Sequence, residues 1–125
     1  MEYLKKFFKG RINKKEFSIY FLGLNLGMVI LFVMYNNIIQ YLSTTFAILI
    51  IIIVVSLFWF LILSIVVKRF HDIGKSGVNT FWLLVGIVNI YFLIILFFQK
   101  SNVVENKYGQ YVDRKTSFSN LFNFN

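Results

Sequence analysis

Lys68-Arg69-Phe70-His71-Asp72-Ile73-Gly74-Lys75-Ser76-Gly77 is the stretch on which the reading of this chain turns. It is a polar island between two long apolar runs. It holds the only histidine, every charge between Glu16 and Lys100, and two of the seven glycines. Before it, Thr45 to Val67 is an uncharged run of 23 residues, roughly 34 Å long as a helix. After it, Val78 to Phe98 supplies 21 more, roughly 31 Å. Abundant isoleucine and valine would suit a buried strand. A run this long without a charge instead reads as a helix able to cross a hydrocarbon core about 30 Å thick.

Working outward, a third apolar run precedes these two. Phe17 to Tyr35 has 19 residues, roughly 28 Å as a helix, and the uncharged polar loop Asn36–Thr44 joins it to the second. Gly23 and Gly27 form a small-xxx-small pair, a pattern that lets another helix approach closely. Packing inside the bundle is the expected use, and self-association through the same two glycines is the alternative. Met1 to Gly10 reads as a short interfacial helix, with Tyr3, Leu4, Phe7 and Phe8 on one side and Lys5, Lys6 and Lys9 on the other. It does not read as a signal peptide, because the apolar run starts late, is too long and lacks a small-residue cleavage site. Past Gln99 the chain is polar, with a turn expected at Asn106-Lys107-Tyr108-Gly109. The expected organisation is an integral membrane domain over residues 1–111 and a polar, largely disordered tail over residues 112–125.

Composition agrees. Hydrophobic residues make up 58% of the chain and charged residues only 14%, whereas a soluble domain carries about 25% charged residues. There is no cysteine, hence no disulfide, thiolate nucleophile or cysteine-ligated metal, and no proline to kink a helix. The net charge of +8 flanks the apolar runs, so anionic lipid head groups rather than nucleic acid are the expected partners. Six basic residues precede the first run, three lie in the island, four follow the third run, and the loop Asn36–Thr44 has none. Basic residues stay cytoplasmic, which puts the N-terminus and the 68–77 loop inside. If the third run crosses, four basic residues are exported; if it dips in and returns, all thirteen stay inside. Gly86 and Asn89 at its middle offer the break a re-entrant hairpin needs. The complete charge asymmetry favours that hairpin over a single span, although a single span avoids a buried turn.

The island itself suits a helix end. Lys68 and Arg69 complement the negative end of a helix dipole, Gly74 and Gly77 allow turn geometry, and Ser76 can cap a following helix. Asp72, among Arg69, His71 and Lys75, is expected to be salt-bridged. Catalytic readings fail. Gly74-Lys75-Ser76 resembles the end of a phosphate-binding loop, but Arg69 stands where the required first glycine should be and no strand precedes it. Carboxylates scattered at Glu2, Glu16, Asp72, Glu105 and Asp113 give one histidine no metal-binding company. Ser76, His71 and Asp72 lie too close in sequence for triad geometry and lack a nucleophile elbow. Neither a cofactor nor a metal is expected, and the chain does not read as an enzyme.

Three segments together carry a resemblance: Phe8-Lys9-Gly10-Arg11-Ile12-Asn13-Lys14-Lys15-Glu16-Phe17, then the island, then Asn106-Lys107-Tyr108-Gly109. In this order and spacing, from about Tyr3 to Tyr111, the chain resembles the family called domain of unknown function 805, small bacterial inner-membrane proteins. It departs from that pattern at Ser18, where an aromatic is usual, at Val78-Asn79, where tryptophans are usual, and in lacking a proline within the third run. The resemblance implies a location in the bacterial cytoplasmic membrane and a fold, and no activity.

The expectation is thus an all-α membrane protein: a small bundle of three hydrophobic segments, two spanning helices and a third that spans or forms a re-entrant hairpin, with a short interfacial N-terminal helix. Its function is expected to be non-enzymatic, the binding of lipid head groups, other anions or a protein partner. The candidate residues are Arg11, Arg69, His71, Asp72, Lys75 and Ser76. Arg11 and Arg69 would hold the anion, and Asp72 would hold the arginines. The competing reading is a component of an oligomeric transporter or channel. It has only Asn25 and Asn89 as polar groups deep in the runs, with no intramembrane charge to mark an ion path.

Overall fold

The computed structural model describes residues 7–41 and 43–109. Among the described residues the complete elements are three α-helices and two 3-10 segments, and two of the helices are long and apolar enough, by length and composition, to cross a membrane. Helix α1 is Lys14–Ile38, 25 residues. Its start is fixed by a reciprocal pair: Asn13 Oδ1 accepts from Glu16 N at 2.8 Å, and Glu16 Oε2 accepts from Asn13 N at 3.1 Å. This capping box satisfies two of the amide groups a helix start leaves without partners. The helix runs three residues past Tyr35, because Asn36 and Asn37 turn their amides back onto Phe32 O (2.7 Å) and Val33 O (2.8 Å) instead of opening a loop. The expected loop Asn36–Thr44 therefore shortens to a 3-10 turn, Ile39–Tyr41, followed by Ser43 as N-cap of the next helix.

Helix α2 is Thr44–Asp72, 29 residues. It does not stop at Val67. Lys68 to Asp72 continue it, so half of the island expected as a loop is helix, and the turn proper is Ile73–Ser76. The continuation follows from burial: Lys68, Arg69, Phe70 and Asp72 are at most 1% exposed, each facing packed protein rather than water.

The third apolar run is broken. A 3-10 segment, Gly77–Leu84, is followed by Val85 in extended conformation (φ −98°, ψ 109°) and then by helix α3, Gly86–Phe98. Eight residues of 3-10 helix rise about 16 Å, and thirteen of α-helix about 20 Å, so the arms are nearly matched. Both ends lie at the same end of α2: a Cβ on Gly77 would sit 3.3 Å from His71 Nε2, and Asn102 N donates to Asp72 O at 3.0 Å. The segment leaves the island and comes back to it, with its break beside Gly86. Asn89 Nδ2 donates to Leu83 O at 2.7 Å across the tip, meeting a carbonyl that the break would otherwise strand.

The core gathers at this end of the molecule. Ile12, Phe17 and Tyr20 pack with Ile62, Ile65, Val66, Phe70 and Ile73, and Leu96 closes the cluster. Phe97 of α3 meets Phe17 and Phe21 of α1 edge to face, with centroids 5.0 and 5.4 Å apart. Between residues 25 and 57, Ala47 alone of the described residues is buried. Gly23 and Gly27 do not pack inside the bundle as expected: a Cβ at either would meet nothing within 4 Å, because the aromatic stripe of α1 makes the internal contact instead. The interfacial helix expected over Met1–Gly10 falls largely on residues 1–6, and the tail over 112–125 falls within 110–125; both lie outside the described residues. Phe7 and Phe8 are described and pack against Phe60 of α2, at 4.9 and 5.5 Å between ring centroids.

Candidate functional site

The last four carbonyls of an α-helix have no partner within it. At the end of α2 all four are taken. Arg69 O accepts from Ile73 N at 3.2 Å, Phe70 O from Lys75 N at 2.8 Å, and His71 O from Gly74 N at 3.1 Å. The last two of these bonds, with Gly74 at φ +76°, make a Schellman motif. His71 O also accepts from Asn106 Nδ2 at 3.0 Å, and Asp72 O accepts from Asn102 N and from Arg11 Nη2 at 3.2 Å. A stretch distant in sequence, residues 102–106, thus finishes the helix.

Asp72 is fully buried between two arginines. Its Oδ1 accepts from Arg11 Nη2 at 3.2 Å, and its Oδ2 pairs with Arg69 Nη1. Arg11 is 3% exposed and Arg69 0%. Most of their other hydrogen bonds go to main-chain oxygens of the segment after Ile95. Arg69 Nε donates to Leu96 O (2.9 Å) and Nη2 to Gln99 O (2.6 Å), while Nη1 also reaches Ser101 Oγ at 3.3 Å. Arg11 Nη2 donates to Asn102 O, and Nη1 to Val104 O (3.1 Å) and Gly109 O (3.2 Å). The planar fork of arginine suits this many-acceptor role, where a lysine would supply a point charge. Both arginines are occupied inside the molecule, leaving Arg11 Nε as a buried group without a hydrogen-bond partner. Asn106 and Gly109 close the expected turn with Gly109 N donating to Asn106 O at 2.9 Å, which presents the Gly109 carbonyl to Arg11.

Of the six candidate residues, the structure brings Arg11, Arg69 and Asp72 into one network. The other three stand apart from it. His71 does not pair with Asp72; its ring stacks on Tyr108, 3.8 Å between centroids and 5° from parallel. Its Nδ1 lies 3.2 Å from Gly10 O, and since a carbonyl can only accept, Nδ1 carries a proton. Lys75 places Nζ 5.4 Å from the Phe92 ring centroid, a cation–π contact. Ser76 is exposed and caps the 3-10 segment, accepting from Val78 N at 3.4 Å.

Beside the network a groove of about 510 Å³ opens between the residue 8–10 stretch, α2 and the 106–109 turn. Phe8, Val67 and Val78 give it apolar walls, the stacked His71 and Tyr108 close one side, and exposed Lys9 and Lys107 line it. The sequence reading had singled out neither lysine as a site residue. Each stands in a segment quoted for the resemblance, and only the chain's return to α2 brings the two together. Among the described residues no group of three or more His, Cys, Asp or Glu could hold a metal ion.

Comparison with known proteins gives no match among curated proteins and none among solved structures. A family model does match, and over the whole of the arrangement just described: the segment of Arg11, the helix end at Asp72 and the turn at Gly109 all fall within residues 6–110, and the chain belongs to the family described as Protein of unknown function (DUF805).

Proposed function

We propose that this chain is a non-enzymatic integral protein of the bacterial cytoplasmic membrane. Two helices cross, a re-entrant hairpin enters and leaves from the cytoplasmic side, and a basic cytoplasmic face meets anionic lipid head groups. The observation that carries this reading is the distribution of apolar exposure. Leu26, Val29, Phe32, Ile52, Ile53 and Leu57 are each 55–63% exposed on helices without a single charge between Phe17 and Val67. Apolar surface of this extent in water is strongly unfavourable, and acyl chains are the solvent that suits it. The hairpin tip has the same character: Leu84 is 78% exposed and Ile87 88%, while Asn89 satisfies the backbone there. Lipid-exposed backbone must be satisfied internally.

In this reading the arginine–aspartate network is the frame of the cytoplasmic face rather than the ligand contact. The channel reading finds less support. Asn25, one of its two polar groups, donates to Phe21 O at 2.7 Å within its own helix, and Asn89 is engaged at the hairpin tip. The test is single-cysteine labelling in intact cells, which the absence of native cysteine makes direct. Ser43→Cys between the long helices should react with an impermeant maleimide, and Val103→Cys, at a position 74% exposed, should react only after the membrane is opened. Reaction of both in intact cells would mean three crossings and sink the hairpin.

A further inference from the structure

We propose that the groove between Lys9, Lys107 and the His71–Tyr108 stack is a binding site for one anionic phospholipid, with its phosphate between the two lysines. This rests on the membrane reading above and adds a defined site to it. Three features of the groove point the same way. Its walls are apolar at Phe8, Val67 and Val78, which suits the glycerol and first acyl carbons of a lipid but would repel a free anion. Its charged lining residues are both cations, Lys9 and Lys107, and no carboxylate lines it. Ser76 also lines it, and since its Oγ accepts from Val78 N, its own proton remains to be donated to a phosphate oxygen.

Its position fits as well. Val67 is the last residue of the uncharged run of α2 and Lys68 the first charge after it, so the groove sits at the level where hydrocarbon gives way to head groups. The arginines cannot take this ligand. Both are buried, and their terminal nitrogens are committed to Asp72 and to main-chain carbonyls. Lys9 and Lys107 are exposed instead, Lys107 with its Nζ 5.1 Å from the Tyr108 ring centroid, and the groove gathers the two around an apolar slot. Gly77 lets the chain pass close against α2 at the edge of the slot, since a Cβ there would lie 2.8 Å from Val67 Cγ1 and 3.3 Å from His71 Nε2.

The test uses the full chain, purified in mild detergent and titrated with phosphatidylglycerol, with bound lipid counted by native mass spectrometry. One molecule should be retained well above the level of phosphatidylcholine. Lys9→Gln with Lys107→Gln should weaken its binding about 25-fold, about fivefold for each lysine near a phosphate. Lys14→Gln with Lys15→Gln, the same loss of charge at exposed positions outside the groove, should change it less than twofold. Val78→Trp, which fills the slot without altering charge and replaces a residue already 68% exposed, should also abolish retention. Equal losses in the two lysine pairs would overturn the site, as diffuse attraction predicts that result. Competition by inorganic phosphate or glycerol phosphate at the same concentration as the lipid would overturn the lipid assignment. Alkaline carbonate extraction of the same cells tests the underlying reading separately. Retention in the membrane without lysine-dependent lipid overturns the site alone, and release into the soluble fraction overturns both.

Discussion

Replacing Asp72 by alanine should be among the most damaging single changes in the chain. The carboxylate is fully buried, and each of its oxygens meets a different arginine, themselves 3% and 0% exposed. Its removal strands two guanidinium charges side by side in a space closed to water. Breaking one buried pair costs about 3–5 kcal/mol, because the partner is left uncompensated; with two partners left, the upper end of that range is expected. A domain of this length has a total stability of roughly 5–15 kcal/mol, so the loss is a large share of it. At roughly 4–8 °C per kcal/mol for a domain of about 100 residues, the melting point in detergent should fall by well over 10 °C. Asp72→Asn should lose nearly as much, since the shape survives and the charge does not. The combination Arg11→Met, Arg69→Met, Asp72→Leu removes every charge at once and should be more stable than Asp72→Ala alone, though below wild type because the carbonyls of residues 96–109 lose their donors. Wild-type accumulation and melting of Asp72→Ala would show that the charges are solvated, and the network would have to be abandoned.

Ser76→Ala should cost about 1 kcal/mol or less, since an exposed cap with a 3.4 Å bond is lost; a melting shift as large as that of Asp72→Ala would refute the division between network and cap. Gly77→Ala should destabilise by about 1–3 kcal/mol, since its methyl would lie 2.8 Å from Val67 Cγ1, on a stiff β-branched side chain. Gly74→Ala should lower the melting point chiefly through its φ of +76°, at about 1–2 kcal/mol, because the Asn102 amide it would touch can swing away. Asn89→Leu should strand the Leu83 carbonyl and cost about 1–3 kcal/mol; if thermal melting is unchanged, the amide does not staple the hairpin.

The three apolar segments were legible because they rest on run length and charge, which tertiary context does not erase. The break in the third was legible too, from Gly86 and Asn89 near its middle. The capping box at Asn13 and Glu16 carries its own signal in the sequence, an amide three residues before a carboxylate at the head of an apolar run. The end of α2 was misplaced because charge suggested solvent at Lys68, whereas Arg11 and the returning chain provide the company that keeps Lys68–Asp72 helical. Most partners of Arg11 and Arg69 could not have been read at all. Leu96, Gln99, Asn102, Val104 and Gly109 accept through main-chain oxygens, and every residue has one, so side-chain identity marks none of them. For the same reason Arg11 and Arg69 read as anion-binding cations held by Asp72, and their main-chain acceptors left no mark in the sequence.

The network also sets an order on biosynthesis. Arg11 leaves the ribosome 93 residues before Val104 and 98 before Gly109, the two carbonyls that engage its Nη1. At about 5–20 residues per second, that guanidinium waits on the order of ten seconds for its last acceptor, and Arg69 waits for Leu96 and Gln99 in the same way. Until those acceptors are made, both arginines remain hydrated and charged. The last described turn then arrives as a buckle: only when residues 96–109 dock do both guanidinium groups leave water, and the helices pass from a loose set to a closed structure.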